Sequence, residues 1–323
     1  MLVTVFLVAL FAVGALSVDV GNAQLQRKKI HEATDAAAMA AVIDWVEDED
    51  ATLVDQVGRA YAMTNGMTDV EVLAVEPGYW EDSTKTFVGP LPTLLSLPAG
   101  AVPAVRVTGK RTVDTAFARV VGMTHMSPAV ESIAVVGRAI AAVGALPWAV
   151  CDSFIPTKCD TITLQFKGGG ETNACSDSGP LQGNFGQLTL GDSGANVYRD
   201  NIENGYQGVL RVGDCVDTEP GVKWGPTRQG IDDRLKGLPP YVCTSSSAPP
   251  DNKRLAIIPR VHSLDVSGKK EVCINGFYVV SLDGYKNNDK TVTATFLEVY
   301  AGTEVDPSAP ATPGDLWAVG LVR

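Results

Sequence analysis

At 323 residues the chain has room for two ordinary domains beside an extended element. Its 26 Lys and Arg against 37 Asp and Glu leave a net charge of −11, which argues against nucleic acid or an anionic lipid surface as a partner of the body, because both reward clustered positive charge. With 32 Gly, 19 Pro and 7% aromatic residues, the body reads as turn-rich and β-rich, not as a helical bundle.

The chain opens on an apolar stretch. Residues 1–18 (MLVTVFLVALFAVGALSV) carry no charged side chain, Asp19 is the first carboxylate, and Arg27 is the first basic residue. Eighteen helical residues span roughly 27 Å, close to the hydrocarbon thickness of a bilayer. No Lys or Arg precedes the stretch, as it would in a secretory signal, so the expectation is a retained segment. Leu2, Val3, Val5, Phe6, Leu7, Val8, Leu10, Phe11, Val13 and Leu16 supply its apolar bulk. Burial of such side chains contributes about 1.5–3 kcal/mol each, so the stretch requires lipid, detergent or a bundle of like helices.

The helical pattern does not stop there. The first proline is Pro77, and Ala33, Ala37 and Ala41 recur at i, i+4 with Ala36 and Ala40 beside them. Ala is the strongest helix former, and a stripe of small side chains lets helix axes approach closely. These features predict one continuous helix of about 45 residues, on the order of 65–70 Å long. The acidic run Asp44, Glu47, Asp48, Glu49, Asp50 and Asp55 reads as its solvated end.

Alternating stretches follow at Asp69–Glu76, Thr84–Val88, Ala104–Val113 and Ala129–Val143, with a short helix expected over Thr115–Met123. Beyond Leu146-Pro147-Trp148 the strands are short: Thr161–Lys167, Leu255–His262, Glu271–Ser281 and Thr291–Ala301. The expected fold class is α+β, a long N-terminal apolar α-helix followed by two β-rich globular domains with antiparallel sheets. The expected division is 1–46 for the helix, 47–146 for an α+β domain packed on it, and 147–323 for a β-rich outer domain. Cys151, Cys159, Cys175, Cys215, Cys243 and Cys273 all fall in that last part. An even count without a CxxC pair favours disulfides in an oxidising compartment over a metal site, with the pairing left open.

Candidate chemistry is sparse. Gly191-Asp192-Ser193-Gly194 matches the string around a trypsin-like nucleophile, yet His31, His125 and His262 stand in no protease context, and a tight turn is the simpler reading. Asp283, Asn287, Asn288 and Asp289 gather oxygen ligands without EF-hand spacing, which again favours a turn. Arg27-Lys28-Lys29 can meet anionic headgroups or acidic residues such as Glu32 and Asp35. Taken alone these cations would put the body in the cytoplasm, whereas the cysteines point outside. The cysteines carry more weight here. No catalytic residue, cofactor or metal is expected.

The segment Ala15–Ala41 resembles the N-terminal region of Tad (tight-adherence) Flp pilus-assembly proteins of the TadE/TadG-like kind, through Asp19-Val20-Gly21, Leu25-Gln26 and Asp35-Ala36-Ala37-Ala38. Shorter stretches of likeness follow at Val75–Trp80, Ala104–Thr108 and Arg254–Pro259. The resemblance implies an envelope protein linked to pili, held by its N-terminal helix with its body outside the cytoplasm. Type IV-like pilins usually carry Glu as the fifth mature residue, where this chain has Val5. The function expected on these grounds is a non-enzymatic, pilin-like subunit of an extracellular filament, anchored in the inner membrane before assembly. Its expected partners are copies of itself, the pilus-assembly machinery and the membrane, with no nucleic acid. The alternative is a TadG-like factor that stays anchored in the cell envelope. In either case the apolar residues above, with Asp19, Ala33, Ala37 and Ala41, form the expected assembly helix.

Overall fold

The computed structural model describes residues 2–151, 156–166, 186–219, 221–244, 249–264, 268–311 and 314–322; the side chains of residues 2–12, 121 and 165 lie outside that description. The fold is α+β and divides into two units, Met1–Val136 with Pro307–Pro310 and Val319–Arg323, and Gly137–Asp306 with Ala311–Ala318.

The first unit is built on α1 (Leu2–Asp48), one unbroken helix. From Asp19 onward its buried positions recur at steps of three, four or seven residues: Asp19, Ala23, Ile30, Ala33, Ala37, Ala41 and Trp45. That is one face of a 3.6-residue period. Glu49, at φ 55°, then turns the chain, and Asp50 caps α2 (Ala51–Thr64) by accepting the amides of Thr52 at 2.8 Å and Leu53 at 3.4 Å. The acidic run is the exposed end of α1, and it holds more than that. It contains a turn and a helix start, where Asp is favoured because its oxygen satisfies orphan N–H groups.

The unit's strands are β1 (Val72–Glu81), β2 (Thr86–Val88), β3 (Val102–Lys110), β4 (Val113–Asp114), β5 (His125–Met126) and β6 (Ala129–Ala139), the last running past Val136 into the second unit. An antiparallel sheet takes the order β2–β1–β3–β6, with Val75 opposite Val107 and Val107 opposite Ser132. Helix α1 packs against β3. The approach is so close that a Cβ on Gly109 would stand 2.7 Å from Met67 Cε and 3.1 Å from Thr34 Cγ2. The helix expected over Thr115–Met123 shrinks to a 3-10 turn, Ala118–Val121, ended by Gly122 at φ 86°. It sits at the tip of a hairpin closed by β4 and β5.

In the second unit the chain continues through β7 (Ala141–Ala142), β8 (Val150–Cys151), β9 (Thr161–Gln165), α3 (Ala195–Asn204), β10 (Leu210–Arg211), β11 (Cys215–Asp217), α4 (Trp224–Leu235), β12 (Leu255–Val261), β13 (Glu271–Lys286), β14 (Thr291–Phe296), β15 (Val299–Ala301), β16 (Val305–Asp306) and the start of β17 (Leu316–Val322). Its main sheet has the order β8–β12–β13–β14–β9, with β11 against β13. The expected antiparallel pattern needs one correction: β8 runs parallel to β12 and β15 parallel to β17. Both faces of this sheet are covered. Phe277 and Val279 of β13 join the cluster of Leu188, Leu190 and Leu316, while Tyr278, Val280 and Leu282 join that of Trp148, Tyr198 and Ile202. Burial on both sides explains the apolar run Phe277-Tyr278-Val279-Val280 within β13.

Helices α3 and α4 were not expected from the sequence. They cross where a Cβ on Gly230 would lie 2.8 Å from Ile202 Cβ and 2.9 Å from the Arg199 carbonyl. Buried Arg234 binds this layer by donating to the carbonyls of Lys253, Ile202 and Leu255, and burial pulls its pKa down to about 10. Disulfides join Cys215 to Cys273 across β11 and β13, and Cys159 to Cys243. Cys151 is disulfide-bonded as well, and Cys175 lies outside the described residues.

Candidate assembly interface

Helix α1 changes character at Asp19. Upstream, Val13 and Val18 are 67% and 58% exposed and Leu16 is 39% exposed. The backbone of residues 2–12 continues the helix; the side chains of Leu2, Val3, Val5, Phe6, Leu7, Val8, Leu10 and Phe11 lie outside the description. No helix among the described residues is long and apolar enough to cross a membrane. The expected long N-terminal helix is present, and past Val18 it carries Asp19, Asn22, Gln24, Gln26 and the Arg27–Lys29 cluster. Downstream, Ala33, Ala37 and Ala41 are fully buried inside their own unit.

Asp19 itself is buried and fully engaged. One carboxylate oxygen accepts the Ala116 amide at 2.8 Å, and the other accepts those of Phe117 and Ala118 at 2.9 and 2.6 Å. Burial pushes its pKa up, but these three amides and nearby Arg119 prevail and hold it below the ordinary carboxylate value. The first carboxylate of the chain is a clamp on the hairpin tip. A carboxylate aimed at three consecutive N–H groups was not foreseen, because its partners lie 97 to 99 residues away.

A second polar group joins α1 to β6. Ser132 Oγ donates to Asp35 Oδ1 at 2.6 Å, His31 Nδ1 lies 3.0 Å from Asp35 Oδ2, and Thr34 Oγ1 lies 2.7 Å from Ser132 Oγ. His31, Asp35 and Ser132 border a cavity of about 460 Å³ whose wall includes Arg106, paired to Glu76 at 2.6 Å and stacked 4.7 Å over the Phe87 ring. The carboxylate, not the imidazole, touches the serine. A hydrolytic triad needs the reverse order, with the imidazole as base on the hydroxyl.

The remaining sequence candidates are local. Ser193 is exposed in the turn that leads into α3. Asp283 accepts Thr295 Oγ1 at 2.8 Å, Asn287 accepts Trp224 Nε1 at 2.7 Å, and the Tyr285 hydroxyl donates to Asp232 at 3.0 Å. Among the described residues, no three His, Cys, Asp or Glu side chains converge to hold a metal. Lys28 and Glu32 form the i, i+4 pair at 3.7 Å, both well exposed and thus worth little.

Comparison with known proteins bears on this same region. Residues 1–44 match the family model described as "Putative Flp pilus-assembly TadE/G-like", and residues 30–134 match the one described as "Putative Tad-like Flp pilus-assembly". No curated protein and no solved structure matches the chain. The two matches together cover α1, α2, β1 to β5 and the first half of β6, including the Asp19 clamp and the Asp35–Ser132 link.

Proposed function

We propose that this chain, which belongs to the Tad/Flp pilus-assembly family through its first 134 residues, is a pilin-like structural subunit whose N-terminal helix enters the membrane and then packs against copies of itself in a filament. Membership ties the chain to Flp/Tad pilus assembly at the cell envelope or surface. The observation that carries the finer reading is the division of α1 at Asp19, with a docked half downstream and exposed apolar side chains upstream. A charge-free helical stretch cannot stay bare in water. Identical stretches on neighbouring subunits are the natural cover for it once it leaves the lipid.

The proposed role is non-enzymatic, a reading supported by the Ser132–Asp35–His31 order and by the exposed turn position of Ser193. Substituting Phe6→Asp or Leu10→Asp tests the assembly role. Sedimentation should show loss of large particles while circular dichroism shows the body still folded; particles that persist count against an apolar core.

A second reading, a factor that stays anchored, is favoured by one observation. The Ala33–Ala37–Ala41 stripe is already used inside its own unit and is closed to neighbours. Detergent-dependent monomers at every protein concentration would support that reading.

A further inference from the structure

We infer that the hairpin tip between β4 and β5 is a membrane-seating collar, which inserts Phe117, Val120 and Met123 into the boundary of the bilayer around the point where α1 emerges. The inference rests on the reading that residues 1–18 enter a membrane before assembly.

Four observations converge on it. The tip presents large apolar side chains to solvent: Val120 is 91% exposed, Phe117 49% and Met123 44%. Three such residues within seven positions form a patch, not the scattered singles normal for a surface. The tip is also held rigidly, its base closed by β4 and β5, its neck by Thr115 Oγ1 donating to the Met123 carbonyl at 2.5 Å, and its flank by the Asp19 carboxylate.

Its level on α1 matters most. Asp19 is the first buried side chain among those described on the helix, so the tip meets α1 directly where the charge-free stretch ends. The seventeen residues Leu2–Val18 rise about 26 Å, near the thickness of a hydrocarbon core, which puts the tip at the lipid boundary. The fourth observation is charge. In a chain of net charge −11, residues 115–126 hold no Asp or Glu; of the acids beside the tip, Asp19 is taken up by three of its amides and Asp114 lies 3.8 Å from Arg119. An apolar wedge with one flanking cation suits an interfacial position, and it does not need anionic headgroups.

The test uses the full chain reconstituted in phosphatidylcholine vesicles, with an environment-sensitive fluorophore on Val120→Cys, on Phe6→Cys, or on Leu95→Cys. Leu95 is 92% exposed and lies beside Thr93, which bonds Glu49 at the far end of α1, about 45 Å of helix from Asp19. Lipids carrying a nitroxide near the headgroup should quench the label at 120, with a blue shift on reconstitution, and leave the label at 95 unchanged. Quenching at 6 but not at 120 would overturn the collar and leave the membrane helix standing. Quenching at neither site would overturn both. A blue shift at 120 that grows with protein concentration without lipid would assign the patch to a second copy of the chain and overturn the lipid partner.

Discussion

The Asp19 carboxylate accepts the Ala118 amide at 2.6 Å across 99 positions of sequence, and with it the amides of Phe117 and Ala116. One side chain on the helix thereby fixes a hairpin that has little regular structure of its own. Substituting Asp19→Ala should expose these three amides, and hydrogen exchange should show their protection lost while that of β3 is kept. Asp19→Asn, whose carbonyl still accepts, should lose less. Because the folded carboxyl lies below the ordinary value near 3.8, its hold is present above that pH and is released as pH falls through the folded pKa.

Glu71 offers a second titration with a clear sign. Arg111, at 2.6 and 2.8 Å, holds its pKa down to about 2 against the opposing effect of burial. A depressed folded pKa stabilises above the unfolded value of 4.5, and that stabilisation disappears as pH falls toward about 2. Glu71→Gln should therefore cost about 1.5–3 kcal/mol at neutral pH, and urea titrations should show the difference from the parent shrinking between those two pH values.

Two glycines of α4 should respond in opposite directions. A Cβ at Gly230 meets Ile202 and the Arg199 carbonyl, so Gly230→Ala should destabilise by about 1–3 kcal/mol. Gly225 has open space around it, and Gly225→Ala should be neutral or stabilise by up to about 1 kcal/mol. Denaturant midpoints of the two variants decide the matter.

The disulfides are also open to direct assay. Non-reducing peptide maps should contain Cys159 linked to Cys243 and Cys215 linked to Cys273, closing loops of 84 and 58 residues. Removing either pair should cost about 2–4 kcal/mol, read as a lowered unfolding midpoint.

Much of the first unit was legible in the sequence. A proline-free, Ala-rich stretch gave α1, and alternating Val and Ala gave β3 and β6 nearly to their ends and the first half of β1, which runs on through Pro77-Gly78, where a turn is expected, to Glu81. Helix α2 was hidden because Asp50 sat within a run of acids; its capping role shows only beside the Val54, Gly58 and Ala62 spacing. Helices α3 and α4 were hidden for another reason. They interrupt a Gly- and Pro-rich stretch and owe their stability to tertiary packing at Tyr198, Ile202 and Ile231. The candidate interface was half legible: the charge-free start and the alanine stripe stand in the sequence, but the stripe's use inside its own unit and the Asp19 clamp are long-range facts.

The filament reading is tested most directly by negative-stain electron microscopy of the purified chain after detergent removal. It predicts long particles of constant diameter whose symmetry places residues 1–18 at the axis and the globular part of the chain outside. Discrete particles the size of one chain, with residues 1–18 open to solvent, would contradict it.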